Sequence, residues 1–400
     1  MLNAIRKFFC LAALIVFAAC ASPMRFFKQG GPRLKAAVDT VITVRNHAKL
    51  MIVAVEIEGD TYDFLFDTGA PMVIDKALVS RLELKALEEL KVVDSQGQSS
   101  KLKLVRIPSL RLGGVDFDGL AGIEADLSAN PLLECLNIQG IVGANLMRHL
   151  YWQLDPAQAK IRLSSEWSRL LPGDSLPVTL PFRNKNTFTP VVTVAVNGQE
   201  IPGITFDTGS GGTLSIGPEN YQGDYRDSLS AVYYGINSGG LFGNSTDSLF
   251  IRPVAFQFGT DSLQAFPLDI EGGKGGLLGM RYLENYRVWL NWDQQIIGLK
   301  RLQTFSAFDR VDFGYAPMIK DSLLIVGRIS ARLQKKYPQL HYGDTITGLD
   351  TRGLERINVP QYCEILAMLR KGEAHMLAIK GKGRFYIEQR PLFAITQNLP

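Results

Sequence analysis

Short apolar runs with period-two alternation, broken by Gly, Pro, Asn and Asp, recur along most of this chain, and they recur in the same order twice. The first series opens with Met51-Ile-Val-Ala-Val-Glu-Ile-Glu-Gly59 and continues through Tyr62 to Phe66. It returns at Ile141-Val142-Gly143 and closes with Tyr151-Trp-Gln-Leu-Asp155, a turn at Pro156 to Lys160, and Ile161-Arg-Leu163. The second opens with Val191-Val-Thr-Val-Ala-Val-Asn-Gly198 and continues through Ile201 to Phe206. It returns at Leu277-Leu278-Gly279 and closes with Val288-Trp-Leu-Asn-Trp-Asp293 and Ile296-Ile-Gly-Leu299. Runs of this length and period predict strands, and self-similarity at a fixed offset predicts a duplicated unit. Two units of roughly 110 residues are expected, from about Leu50 to Leu163 and from about Pro190 to Leu302. Helical spacing is rare: Lys76 to Leu90 carries Leu78, Leu82 and Leu87, and Pro218 to Tyr225 allows one short helix. Arg169 to Asn186, with Pro172-Gly173, Pro177 and Pro181, predicts a connection holding one strand, Leu176 to Phe182.

After Leu302 the pattern changes. Leu323-Leu-Ile-Val-Gly-Arg-Ile329 predicts a buried strand, and Leu340 to Leu349 a turn into another. Asn358 and Pro360 start a helix whose apolar face is Tyr362, Ile365, Leu366 and Leu369, ending before Gly372. Met376 to Lys380 and Arg384 to Glu388 form a hairpin around Gly381-Lys-Gly383.

The duplicated units carry the candidate chemistry at matching places. The first has Phe66-Asp67-Thr68-Gly69-Ala70, and the second has Phe206-Asp207-Thr208-Gly209-Ser210, 140 positions later. A given tripeptide turns up in a chain this long with a probability of roughly 0.1. Two copies in matching surroundings therefore outweigh the reading of both as ordinary turns. A strand ending on Asp-Thr-Gly holds its carboxylate at a tight corner: Gly admits another backbone, and Thr offers a hydroxyl to a neighbour. The apolar-apolar-Gly stretch follows each Asp at 76 and 72 positions.

Together these residues resemble the aspartic proteases of the retropepsin-like kind, with two lobes fused in one polypeptide. The resemblance covers about Leu50 to Leu302. It implies a mostly β fold of two homologous lobes, each a closed six-stranded-type β-barrel, at residues 50–168 and 187–304, joined through residues 169–186. It implies that Asp67 and Asp207 are the catalytic pair of an endopeptidase for peptide or protein substrates. Thr68 and Thr208 would bond across between the loops. Gly69, Ala70, Gly209 and Ser210 would shape those loops, and the strands ending at Gly143 and Gly279 would cross beneath them. Two carboxyls a few Å apart share a proton, so no metal or cofactor is needed and a bell-shaped pH dependence is expected. The hairpins Val92 to Leu104 and Tyr233 to Gly243 are candidate covering flaps. A monomer is expected to be active; activity of dimers alone is the other possibility. A scaffolding or peptide-binding lipoprotein that keeps the fold and does little chemistry is the alternative reading.

Residues 308–390 resemble a small PDZ domain of the bacterial kind, a β-barrel with helices, through Leu340-His-Tyr-Gly343-Asp344-Thr-Ile. That resemblance implies either a site for extended peptide ends or a unit that packs on and stabilises the lobes. Phe313-Gly314-Tyr315 matches the family's carboxylate loop poorly, and Ala331-Arg332 replaces a small-Pro segment.

At the N-terminus, Arg6 and Lys7 precede the apolar run Phe8 to Ala19, which is short for a membrane span. Phe17-Ala18-Ala19-Cys20 resembles a bacterial lipoprotein signal. It implies a leader over residues 1–19, lipidation of Cys20, a tether over residues 20–49 and an envelope location. Plain secretion and an uncleaved anchor are the alternatives. The formal charge of +4 comes with no basic patch of interleaved aromatics, so nucleic-acid binding is not indicated. Beyond Cys10 and Cys20 the chain has Cys135 and Cys363, which fall in different predicted domains and are expected as two buried free thiols. His47, His149, His341 and His375 show no ligand spacing.

Overall fold

The computed structural model describes residues 23–47, 49–93, 99–171, 173, 178–240, 243–272, 275–305 and 311–393. The chain is mostly β, and its strand pairings repeat. In the first half, Leu50–Ile57 pairs with Asp60–Asp67 as a hairpin, turning at Glu58 and Gly59, both at positive φ. Asp60–Asp67 then pairs in parallel with Gly140–Gly143, which pairs with Val73–Asp75, and that strand in parallel with Val115–Ala125. Val115–Ala125 meets Ser99–Leu112, and Ser99–Leu112 returns to Leu50–Ile57, so the six pairings run in a ring.

The second half repeats the ring strand for strand. Pro190–Val196 pairs with Gln199–Phe206, that strand in parallel with Leu277–Leu278, and then come Leu214–Ile216, Asp261–Ile270 and Gly243–Phe258. The last returns to Pro190–Val196. Parallel and antiparallel pairings fall at the same places in both rings. Alternation in the sequence thus becomes an inward apolar face: Val53, Val55, Phe64 and Phe66 in one ring, and Val192, Val194, Ile204 and Phe206 in the other, are all buried.

Beneath the rings lies a six-stranded sheet shared by the halves. Tyr151–Asp155 and Lys160–Ser164 come from the first, and Tyr286–Asn291 and Ile296–Arg301 from the second. They join where Trp152, Gln153 and Leu154 pair with Leu290, Trp289 and Val288. One core cluster runs through both rings and this sheet, from Ile42 to Leu299. Arg287 crosses the seam with two bonds to Asp155 Oδ2, at 2.8 and 2.5 Å.

Three expectations are corrected here. Residues 20–49 were expected as a tether, but from Pro23 onward they are built into the fold. Gly31–Pro32 pairs with Val115–Ala125, Asp39–Thr43 is an edge strand of the shared sheet, Arg45–His47 pairs with Leu50–Ile57, and Phe27 is fully buried. Asp39–Thr43 is too short and too exposed on one face to stand out as an apolar run. Around Leu78, the helix stops at Arg81, and Leu87 lies in the strand Ala86–Val93. Strand pairing with Ser99–Leu112 overrides the helical spacing. The predicted interlobe strand is observed over Val178–Pro181, paired with Ile296–Arg301. Cys135 and Cys363 are not free thiols but a disulfide, with Cα atoms 5.4 Å apart. The Pro131–Cys135 helix of the first half packs beside the helix Val359–Arg370, bringing together two cysteines from different units.

The C-terminal unit has its own core, including Leu324, Val326, Leu340, Ile346, Ile365, Leu377 and Phe385. Its helix Val359–Arg370 begins at Asn358, as the sequence predicts, and Gln361 completes a capping box there. Tyr362 and Ile365 are buried, while Leu366 and Leu369 pack against the same core. Its strand Leu323–Ser330 pairs with Ala231–Gly240 through Tyr233, Tyr234 and Gly235, so the unit continues the sheet of the second ring. Leu392 and Phe393 lie against Tyr233, Leu249 and Ile251.

Both candidate flaps form hairpins, Ala86–Val93 with Ser99–Leu112 and Ala231–Gly240 with Gly243–Phe258. Their tips at residues 94–98 and 241–242, like the leader and Cys20, lie outside the described residues. No helix among the described residues is long and apolar enough to cross a membrane.

Candidate active site

Each Asp-Thr-Gly corner terminates a buried strand of its ring, and the two corners face each other. Phe66 and Phe206 are fully buried directly before Asp67 and Asp207, anchoring the strand ends from which the loops turn. The threonines bind the corners to one another. Thr68 N–H donates to Thr208 Oγ1 at 3.0 Å and Thr208 N–H to Thr68 Oγ1 at 3.1 Å. Each hydroxyl in turn donates to the carbonyl preceding the opposite Asp, Thr68 to Phe206 O at 2.5 Å and Thr208 to Phe66 O at 2.9 Å. Both threonines are wholly buried, so all four bonds lie where an unmade one costs the full desolvation of its partner.

The glycines explain themselves by what touches them. A Cβ on Gly69 would stand 2.6 Å from Asp207 Cγ, and one on Gly209 would stand 2.2 Å from Asp67 Cγ. Each carboxyl therefore lies against the bare Cα of the opposite loop. Each also accepts from the glycine of its own loop: Gly69 N–H to Asp67 Oδ1 at 2.6 Å, and Gly209 N–H to Asp207 Oδ1 at 2.9 Å. The second pair of glycines sits below. A Cβ on Gly143 would strike Pro71 and Met72 backbone at 2.1 and 2.4 Å, and one on Gly279 would strike Gly212 O and Ser210 O at 2.7 Å. Ala144 N–H donates to Ala70 O at 2.8 Å and Met280 N–H to Ser210 O at 2.7 Å, which pins the loops from beneath. Every residue singled out in the two motifs is thus in one constellation.

Burial raises the pKa of both carboxyls, and the Asp207 charge with its hydrogen bond pushes Asp67 well above the ordinary carboxyl range. Asp207 is raised as well; the bond from Asp67 and the Gly209 and Ser210 amides oppose its rise. The pair thus retains a proton where isolated carboxyls would have lost both.

Sequence reasoning missed Lys185. Its Nζ donates to Thr205 Oγ1 at 2.9 Å, two residues before Asp207, and its charge acts on that carboxyl. The only sequence signal was a lysine in the turn before a strand, which is common. Among the described residues, no group of three or more His, Cys, Asp or Glu is placed to hold a metal ion.

Residues 53–146 match the family model of the aspartyl proteases, a span that contains Asp67, Thr68, Gly69, Ala70 and Gly143. No curated protein matches the chain. This match, over part of the first half, supports a hydrolase acting on peptide bonds.

Proposed function

We propose that this chain is an aspartic endopeptidase whose catalytic pair is Asp67 and Asp207. We read the two rings of strands as the closed barrels of two homologous lobes, with one carboxylate from each, so that a single chain is active. The observation that carries the proposal is the reciprocal seating of the two carboxyls, each against the glycine of the opposite loop.

The chemistry needs one carboxylate and one carboxylic acid. The carboxylate takes a proton from a water held between the two groups as the water oxygen bonds to the peptide carbonyl carbon. The acid passes its proton to the carbonyl oxygen, giving a neutral tetrahedral diol. On collapse the C–N bond breaks, the first group returns its proton to the leaving amine, and the second recovers one from the diol. Burial raises both carboxyls and the Asp207 charge raises Asp67 further, which favours retention of one proton by the pair.

The two candidate flap hairpins would cover the bound peptide. Residues 308–390, read as a PDZ-like domain, would present substrate or stabilise the lobes. Cys20 would carry the lipid that anchors the enzyme in the cell envelope. The scaffolding alternative gains no support from the site, since it does not require two carboxyls locked against each other.

Incubating an unfolded protein with wild type and with Asp207→Asn between about pH 4 and pH 7 tests the reading. Cleavage by wild type alone is expected. Equal inertness of the two, with peptide still bound, would favour the scaffold.

A further inference from the structure

We propose that Lys185 is a positioning residue for the carboxylate pair, biasing its single negative charge onto Asp207 and leaving the shared proton on Asp67. The inference rests on the reading of the pair as catalytic and adds what that reading leaves open: which carboxyl takes the proton from water.

The two loops are alike, but their surroundings are not. Lys185 lies in the turn between Arg183–Asn184 and Pro190–Val196. Lys185 N–H donates to Thr189 O and Phe188 N–H to Lys185 O, both at 2.9 Å, and Trp292 Nε1 donates to Phe188 O at 2.8 Å. Thr189, buried, places its hydroxyl 3.5 Å from Gly69 O in the opposite corner. The turn is therefore fixed against the first loop and against Trp292. From it the ammonium reaches the buried Thr205 hydroxyl on the strand that ends beside Asp207.

The matching places in the first half differ. Leu65, an apolar residue, stands two positions before Asp67 where Thr205 precedes Asp207. The lysine of the corresponding turn, Lys49, is bound to Glu284 by both carboxylate oxygens at 2.7 Å. Lys185 thus acts on the Asp207 corner, while the lysine of the matching turn is engaged by Glu284.

Among the described residues, the groups that act on the pair include the two carboxyls themselves, the amides of Gly69, Gly209 and Ser210, and Lys185. Asp207 is the carboxylate that acts on Lys185, and partial burial lowers the lysine pKa. The Asp207 charge opposes that lowering and favours the ammonium form. A fixed positive charge stabilises the ionised form of the nearer acid. Asp207 is then the base that deprotonates water, and Asp67 the acid that protonates the carbonyl oxygen.

Lys185→Met and Lys185→Arg test this by the pH dependence of kcat/KM at low and high salt. Removing the cation raises the first pKa of the pair. In Lys185→Met the acidic limb is expected to move up by about half a pH unit, a loss of roughly threefold below the limb. Salt should move the wild-type limb the same way by a smaller amount, because a partly buried pair is screened less than an exposed one, and leave that of Lys185→Met in place. Lys185→Arg should keep the wild-type profile.

A second readout does not depend on activity. Carboxyl 13C titrations follow Asp207 in Asp67→Asn and Asp67 in Asp207→Asn, each with and without Lys185→Met. A larger rise for Asp207 than for Asp67 supports the assignment; equal rises, or none, overturn it. An unshifted acidic limb in Lys185→Met overturns it too. A wild type that cleaves nothing would sink the protease reading alone, and the titrations would still decide the role of Lys185.

Discussion

At the scale of single residues, the site is held by contacts that admit no spare atom. Gly69→Ala puts a methyl where Asp207 Cγ lies, at 2.6 Å, without demanding an unusual backbone angle. The fold should survive while the partner carboxyl is displaced, and a displacement of about 1 Å costs on the order of 10²-fold in kcat/KM. Equal activity of Gly69→Ala and wild type would contradict the account. Thr68→Val leaves Phe206 O and Thr208 N–H without partners in a buried place. Two orphaned groups cost roughly 2–6 kcal/mol of stability, to be read from denaturant unfolding.

The carboxyls themselves carry a pH signature. Asp67 has a folded pKa above its unfolded one, because burial and Asp207 penalise its charge. Such a group stabilises the fold fully below the unfolded pKa, near 3.9, and loses that contribution as pH rises toward the folded value. Asp67→Asn removes the charge altogether. Its melting temperature should exceed that of wild type increasingly as pH rises above about 4, with no gain near pH 3. A gain that is constant with pH would argue against a strained pair.

At the scale of elements, much of the arrangement is readable in the sequence and some of it is not. The Asp corners, the strands leading into them and the strands ending at Gly143 and Gly279 follow from local pattern, since alternation and Gly spacing are local. The sequence also showed the helix at Val359–Arg370 through its cap and apolar face. It did not show that Asp39–Thr43 joins the shared sheet, because a short half-exposed strand looks like linker until its partner Lys160–Ser164 is known. Nor did it show that Leu323–Ser330 pairs with Ala231–Gly240. That pairing depends on Gly235, whose φ of 129° and close approach to Gly327 O leave no room for a side chain. Gly235→Ala should loosen this junction. Faster amide exchange along Tyr233 to Gly235 and Arg328 to Ser330, with exchange at Thr68 and Thr208 unchanged, is the expected result.

At the scale of the whole molecule, several devices hold the three parts together. One is the shared core and sheet beneath the rings, sealed by Arg287 on Asp155. Another is the bond between Cys135 and Cys363, separated by 228 residues, which ties the C-terminal unit to the first half while its sheet is tied to the second. Sequence reasoning put those cysteines in separate domains and therefore apart; what joins them is docking between units, which no local period encodes. Closing so long a loop restricts the unfolded chain, a contribution on the order of 2–5 kcal/mol. The double variant Cys135→Ser with Cys363→Ser should melt lower than wild type without reductant and alongside it with reductant. Identical melting in both conditions would show that the bond adds nothing.

The central claim is that Asp67 and Asp207 act as one unit on one water, and a double-mutant cycle on kcat/KM tests it most directly. Asp67→Asn and Asp207→Asn should each lose on the order of 10³-fold or more, and the double variant should be no worse than either alone. Two carboxyls that act separately would give losses that multiply, or leave one single variant close to wild type, and either result would contradict a shared-proton pair.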